Sequence, residues 1–137
     1  MAERTEAYVD TSALIAFADR SDTYHVLFRR LFSEPPPLLT TTLVVAEGHG
    51  WFLRRYDRTR ALHFIAMLEA MQPLSVVAVG ADEQGGSIRL LRRFSDQDLT
   101  LVDAAGLHLM ETRRIASCWS TDRHLGLTGI PLIIHQH

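Results

Sequence analysis

A chain of 137 residues, 47% apolar and 22% charged, is sized for one domain with a full core and is not composed like a disordered segment. It has no apolar run near the roughly 20 residues of a membrane span, and its first residues, Met-Ala-Glu-Arg-Thr-Glu, lack the apolar core of a secretory signal. A net charge of −2 does not by itself mark a nucleic-acid binder. Cys118 stands alone and allows no internal disulfide, so a cytoplasmic location is expected.

The apolar run Ala7-Tyr-Val, followed by Asp10-Thr-Ser-Ala-Leu, reads as a strand, a tight turn and a helix capped by Thr11 or Ser12. Asp10 then lies at the carboxyl end of the first strand. A second helix is expected from 21 or 22 to 33, ended by Pro35-Pro-Pro37. Thr40-Thr-Thr42 supplies hydroxyls to cap a helix over 43–56. On that helix Glu47 shares the apolar stripe of Leu43, Val44 and Trp51. Gly48 and Gly50 each cost roughly 1 kcal/mol there relative to Ala, which suggests room for another backbone. The basic segment Arg54-Arg-Tyr-Asp-Arg-Thr-Arg60 turns into an amphipathic helix over 61–71.

Beyond Pro73, Val76-Val-Ala-Val79 reads as a buried strand. A helix over 81–94 follows, with Ile88, Leu91 and Phe94 inward and Arg89, Arg92 and Arg93 outward. In Asp96-Gln-Asp-Leu-Thr-Leu-Val-Asp103 the spacing from Thr100 to Asp103 makes a variant capping box. Leu107 and Met110 continue from Asp103 at helical spacing, so this carboxylate heads a buried stripe and needs a positive partner. Ile115-Ala-Ser-Cys-Trp119 is a further buried strand with Ser120-Thr-Asp122 at its carboxyl end. Gly126 and Gly129 close a short helical turn, and Leu132-Ile-Ile134 is expected to form a last strand. Alternating strands and helices indicate a single α/β domain over 1–137 with a mainly parallel sheet.

Ligands in such sheets collect beyond the carboxyl ends of the strands, where Asp10 and Asp122 belong. Asp103 and Glu47 can point into the same crevice. Four converging carboxylates require cations, and hard oxygen donors suit Mg²⁺ or Mn²⁺ rather than Zn²⁺. The chemistry such a site favours is phosphodiester hydrolysis. Capping by Asp10 and Asp122, or an ion pair of Glu47 with a distant Arg, are the structural alternatives. Asp96 and Asp98 alternatively complement the dipole of the following helix.

Four motifs in this order resemble the PIN-domain family, and within it the VapC-type ribonuclease toxins. They are Tyr-Val-Asp10-Thr-Ser-Ala-Leu, Thr-Thr-Thr-Leu-Val-Val-Ala-Glu47, Asp96-Gln-Asp-Leu-Thr-Leu-Val-Asp103-Ala and Ser-Thr-Asp122-Arg-His-Leu. The resemblance implies a three-layer α/β/α fold and a Mg²⁺-dependent endoribonuclease acting as the toxin of a toxin–antitoxin pair. Its catalytic and metal-holding acids would be Asp10, Glu47, Asp103 and Asp122, with Asp98 as a further metal ligand and Ser12 and Thr121 in support. It also implies an RNA substrate, an antitoxin partner and a homodimer, the last in keeping with the number of large apolar residues such as Phe28, Leu31, Phe52 and Phe64. A stand-alone RNA-processing nuclease and a catalytically degenerate RNA-binding module are the alternatives.

Other classes fit less well. A receiver domain depends on a Lys, and the chain has none. A haloacid-dehalogenase-like phosphatase needs a second Asp where Ser12 stands. The histidines show no paired zinc-ligand spacing. The Arg clusters read as solvated faces, some able to meet RNA phosphates.

Overall fold

In the computed structural model residues 6–136 are described; residues 1–5, including most of the charged N-terminal stretch, and His137 lie outside the described residues. Strands β1 (Ala7–Val9), β2 (Leu38–Thr41), β3 (Leu74–Val77) and β4 (Ser117–Trp119) form one parallel sheet in the order β3-β2-β1-β4. They are joined by helices α1 (Thr11–Ala18), α2 (His25–Leu31), α3 (Thr42–Arg55), α4 (Arg58–Ala70), α5 (Ala81–Arg93) and α6 (Leu101–Thr112).

Strand parity sorts the core into two halves. Ala7, Val9, Leu38 and Trp119 join a cluster with residues of α1 to α4, such as Leu14, Phe28, Val44, Phe52 and Phe64. Their immediate neighbours Tyr8, Leu39 and Cys118 join a second cluster with Leu90 of α5 and Leu107 and Met110 of α6. Alternate side chains of a strand leave opposite faces, so each strand feeds both layers. The sheet grows in one direction from β1 through β3 and then returns to β4 on the other side of β1. Parallel crossovers are right-handed almost without exception, so this reversal puts α5 and α6 on the face opposite α1 to α4. The result is the expected three-layer α/β/α arrangement. Its topological switch point lies between β1 and β4, where the strand order reverses.

Local structure departs from the sequence reading at several places. Asp10 itself, not Thr11 or Ser12, caps α1: it stays extended while its carboxylate accepts from Ser12 N–H. Leu38 and Leu39, to which the sequence reading assigned no element, form with Thr40 and Thr41 a strand pairing with both β1 and β3, and Thr41 caps α3. The run expected as a buried strand at 76–79 is instead a strand over 74–77 at the sheet edge, beyond which no other strand pairs among the described residues, and Val76 is 45% exposed. The last expected strand reduces to one bridge between Cys118 and Leu132, after which the chain coils into a 3-10 turn at Ile133–His135.

Gly48 makes room for a ring, not for a backbone: a Cβ there would collide with the Phe64 ring. On α5 it is Leu90 that is buried, with Ile88, Leu91 and Phe94 half-buried. Phe28, Phe52 and Phe64 lie in the first core half and are unavailable to a dimer interface, while Leu31 packs at its margin. Each ring is held by burial worth roughly 1.5–3 kcal/mol. The large apolar side chains left exposed are Val26, Leu53, Leu62, Val76 and, marginally, Tyr24 and Tyr56.

Candidate active site

The cavity at the switch point is built from four short pieces of chain. Strand β1 runs straight into α1, and this places Asp10 at the junction with 4% of its surface exposed. Its backbone N–H still donates to Trp119 O at 3.0 Å, so β1 and β4 end side by side. The Asp10 carboxylate accepts from Ser12 Oγ (2.8 Å), Ser120 Oγ (3.0 Å) and, longer, Ser12 N–H (3.4 Å), all on Oδ2. Each hydroxyl has a single proton. With both spent on Asp10, the 3.1 Å approach of Ser12 Oγ to Ser120 Oγ is a contact of two acceptors. Backbone donors satisfy them instead: Thr121 N–H reaches Ser12 Oγ at 3.0 Å and Asp122 N–H reaches Ser120 Oγ at 2.9 Å. The two serines therefore fasten the β1–α1 turn to the segment after β4.

Asp122 begins the 3-10 turn Arg123–Gly126, and its Oδ1 accepts from His124 N–H (3.0 Å) and pairs with His124 Nδ1 (2.9 Å). Asp103 sits at the third position of α6, 8% exposed. Thr100 N–H donates to its Oδ2 at 3.2 Å and Asp103 N–H donates to Thr100 Oγ1 at 3.1 Å, the reciprocal capping box expected from the spacing. Glu47 comes from the second turn of α3, half-buried beside the buried stripe Val44, Gly48 and Phe52. Asp10, Glu47, Asp103 and Asp122 all line one cavity of about 330 Å³, together with Ser12 and Thr100.

Burial is the main reason that Asp10 titrates high: its carboxyl is pushed from 3.8 to about 6, against the lowering effect of Ser12 and Ser120, with the charge of Asp103 adding to the rise. Asp103 is raised too, by burial first, with the Thr100 backbone opposing and Asp122 adding. Clustered carboxylates that resist ionisation, offering oxygen donors at a cavity wall, fit a hard divalent cation. Asp103, Asp122 and His124 can each offer a ligand atom within 4.8 Å of the others. Thiol chemistry has no place here, because Cys118 is buried and its pKa is pushed well above the usual thiol value.

Not every residue singled out in the sequence reaches this cavity. Asp98 and Asp96 are exposed in the loop before α6 and do not line it. Thr121 contributes its backbone N–H to Ser12, and its side chain is not part of the wall. Ser120, His124 and Trp51 were not among the expected site residues, and Arg54 was marked only as part of a basic cluster able to meet RNA phosphates. For Ser120 a signal existed: a small hydroxyl closing β4, opposite Asp10 closing β1, is where a buried carboxylate finds a donor. His124, two residues after Asp122, could have been read as its partner.

Fold and site together define a doubly wound α/β domain with a carboxylate-lined switch-point cavity suited to a divalent cation. The chain belongs to the PIN domain family, whose model matches residues 7–129. It is 27% identical over 123 residues, 89% of this chain and 93% of the relative, to the 23S rRNA-specific endonuclease VapC20 of Mycobacterium tuberculosis. The crystal structure of that organism's VapC20, described as a Sarcin-Ricin loop cleaving toxin, superposes with a TM-score of 0.84 at 25% identity, covering 91% of this chain and 96% of the other. Two further structures share the fold. A toxin–antitoxin complex from Klebsiella pneumoniae has a TM-score of 0.61 at 18% identity, covering 92% of this chain and 94% of the other. VapBC2 from Rickettsia felis bound to a promoter DNA fragment has 0.64 at 10%, covering 93% and 96%. Among the described residues no helix is long and apolar enough to cross a membrane.

Proposed function

We propose that this chain is a Mg²⁺-dependent endoribonuclease, with Mn²⁺ an acceptable substitute, acting as the toxin of a toxin–antitoxin pair. The observation that carries the reading is the convergence of Asp10, Glu47, Asp103 and Asp122 on one cavity at the switch point of a PIN domain. The relatives named above are its second support, and they make ribosomal RNA the first substrate to try.

Asp10, Asp103 and Asp122 would hold the cation, with Glu47 facing them from α3 and His124 within reach of the same donors. When bound, a divalent cation supplies the positive charge that eases deprotonation of water and stabilises the departing oxygen. The protein's own part is placement. Ser12 and Ser120 hold Asp10 from one side, Thr100 holds Asp103, and His124 holds Asp122, so three carboxylates arrive pre-oriented on hydrogen bonds of 2.8–3.2 Å. Water attacks phosphorus as one of its protons passes to a carboxylate, one P–O ester bond breaks, and the departing oxygen takes up a proton, leaving a phosphate monoester on one fragment and a hydroxyl on the other. An antitoxin protein and a homodimeric state complete the proposal.

Purified protein incubated with ribosomal RNA is expected to cut it in Mg²⁺ and not in EDTA. Asp10→Asn, Glu47→Gln and Asp103→Asn should each lose the activity. Cleavage by Asp10→Asn protein at near wild-type rate would show that the cavity is not the active site.

A further inference from the structure

Four acids explain how the cavity could hold a cation, but they do nothing for the rest of a polyanionic substrate. Among the described residues Arg54 is the one cationic residue lining the cavity, and no ion pair or hydrogen bond engages it. Its neighbours Arg55 and Arg60 are placed differently, over the Tyr56 ring at 5.7 and 4.2 Å. Glu47, Trp51 and Arg54 stand at i, i+4 and i+7 on α3 and so share one helix face, with Arg54 roughly 10 Å along the axis from Glu47. The Arg54 side chain lies back along the helix: a Cβ at Gly50 would come 3.0 Å from its Nη1. A glycine in a helix interior is unfavourable, and here it leaves the guanidinium room to lean toward the cavity.

Trp51 stands between the acid and the cation. It is half-buried, set at steep angles against Phe52 (centroids 4.9 Å apart, 81°) and Tyr56 (6.1 Å, 69°), so its indole is held in place by packing while it lines the cavity. A fixed indole one helical turn from Glu47 and a free guanidinium two turns from it match the chemistry of a nucleotide: a base to stack and a flanking phosphate to clamp.

Resting on the ribonuclease reading above, we propose that Trp51 and Arg54 form a nucleotide subsite adjoining the reacting phosphate. Trp51 stacks one unpaired base and Arg54 holds the phosphate next to it. Stacking on a side chain requires a base out of its helix, so the subsite selects single-stranded or looped RNA over duplex.

The protein has two tryptophans, and the other, Trp119, is only 3% exposed in the core, so RNA-dependent emission reports on Trp51. Asp10→Asn protein, used to prevent cleavage, is titrated with a mixed-sequence 12-nucleotide single-stranded RNA, the same backbone without bases, and its blunt duplex. Binding is followed separately by anisotropy of a label on the nucleic acid. The single strand should quench Trp51 emission at saturation, and the abasic strand and duplex should not. Adding Trp51→Phe, which keeps a packed ring, should remove the quench. Arg54→Ala should lower the slope of log affinity against log salt by about 1.

In cleavage assays of otherwise wild-type protein, Trp51→Leu and Arg54→Ala should raise KM roughly 5- to 100-fold with kcat within about threefold. Arg54→Lys should fall between, having the charge without the fork. Mn²⁺ affinity of Arg54→Ala should be no weaker than wild type, which separates substrate positioning from damage to the acid cluster. Saturating single-stranded RNA without an emission change, equal quenching by duplex, or an unaltered salt slope in Arg54→Ala would overturn the subsite. If the wild-type protein cleaves RNA yet shows any of these, only the subsite falls. If it cleaves no RNA, the functional reading falls with it.

Discussion

Asp10 makes folding depend on pH in a way that follows from its surroundings. Its carboxyl is raised from 3.8 to about 6, chiefly by burial. One pKa unit corresponds to about 1.36 kcal/mol, so ionised Asp10 costs the metal-free fold about 3 kcal/mol. Below the unfolded value both states hold the proton and the cost vanishes. Between 3.8 and 6 the folded state binds more protons than the unfolded one, so stability falls as pH rises, and above about 6 the full cost is present. Asp10→Asn removes this titration. Whatever the amide loses against Ser12 and Ser120 is a constant offset, so the pH dependence of the difference isolates the carboxyl. Urea denaturation in EDTA at pH 4, 5, 6 and 7 should show the variant gaining on wild type by about 2.4 kcal/mol across the range, the remainder of the cost being already present at pH 4. In melting temperature that is on the order of 10 °C. A gap that stays constant from pH 4 to 7 would refute the argument, because Asp10 would then titrate alike in both states and the cavity would not be a desolvated site.

Other consequences are as specific. Mg²⁺ at ten times its dissociation constant should add about 1.4 kcal/mol to wild-type stability, and Asp103→Asn should lose most of that gain in a thermal-shift assay. Thr100→Ala breaks the capping box that holds Asp103 and should cost about 1 kcal/mol in denaturant while also weakening Mg²⁺ binding. Gly48→Ala must displace the Phe64 ring from the core and should destabilise by about 1–3 kcal/mol, a loss readable from the denaturation midpoint. Asp98→Asn, at an exposed position away from the cavity wall, should keep cleavage within about threefold of wild type.

The order of strands and helices could be read from the sequence because turn chemistry punctuates it: Pro35-Pro-Pro37, the three threonines at 40–42 and Thr100 with Asp103 all mark real boundaries. Pairing could not be read the same way. Leu38-Leu-Thr-Thr41 is a strand because β1 and β3 flank it, and Val76 lies exposed on a strand at the edge of the sheet formed by the described residues. The aromatic surplus that suggested a dimer face proved to be one half of a two-sided core, since strand parity sends residues to both layers and a linear sequence does not show which. Asp10, Glu47, Asp103 and Asp122 were visible as acids at strand ends or on apolar helical stripes, and the cavity collects them. Their supports were harder to see. Ser120 was overlooked beside Thr121 because only the geometry tells which hydroxyl points inward and which residue contributes just its N–H. Asp98 was implied as a metal ligand by the family resemblance, but the loop carrying it turns the side chain to solvent, where only the alternative of complementing the following helix dipole is left to it.

The four acids acting together as one divalent-cation site are the heart of the proposed chemistry. Titrating Mn²⁺ into metal-free protein while following its electron paramagnetic resonance signal measures this without substrate. Wild type should take up Mn²⁺ saturably, Mg²⁺ should compete it off, and Asp10→Asn, Asp103→Asn and Asp122→Asn should each weaken binding by at least about tenfold. Binding that is unchanged in all three variants would place the cation elsewhere and contradict the account.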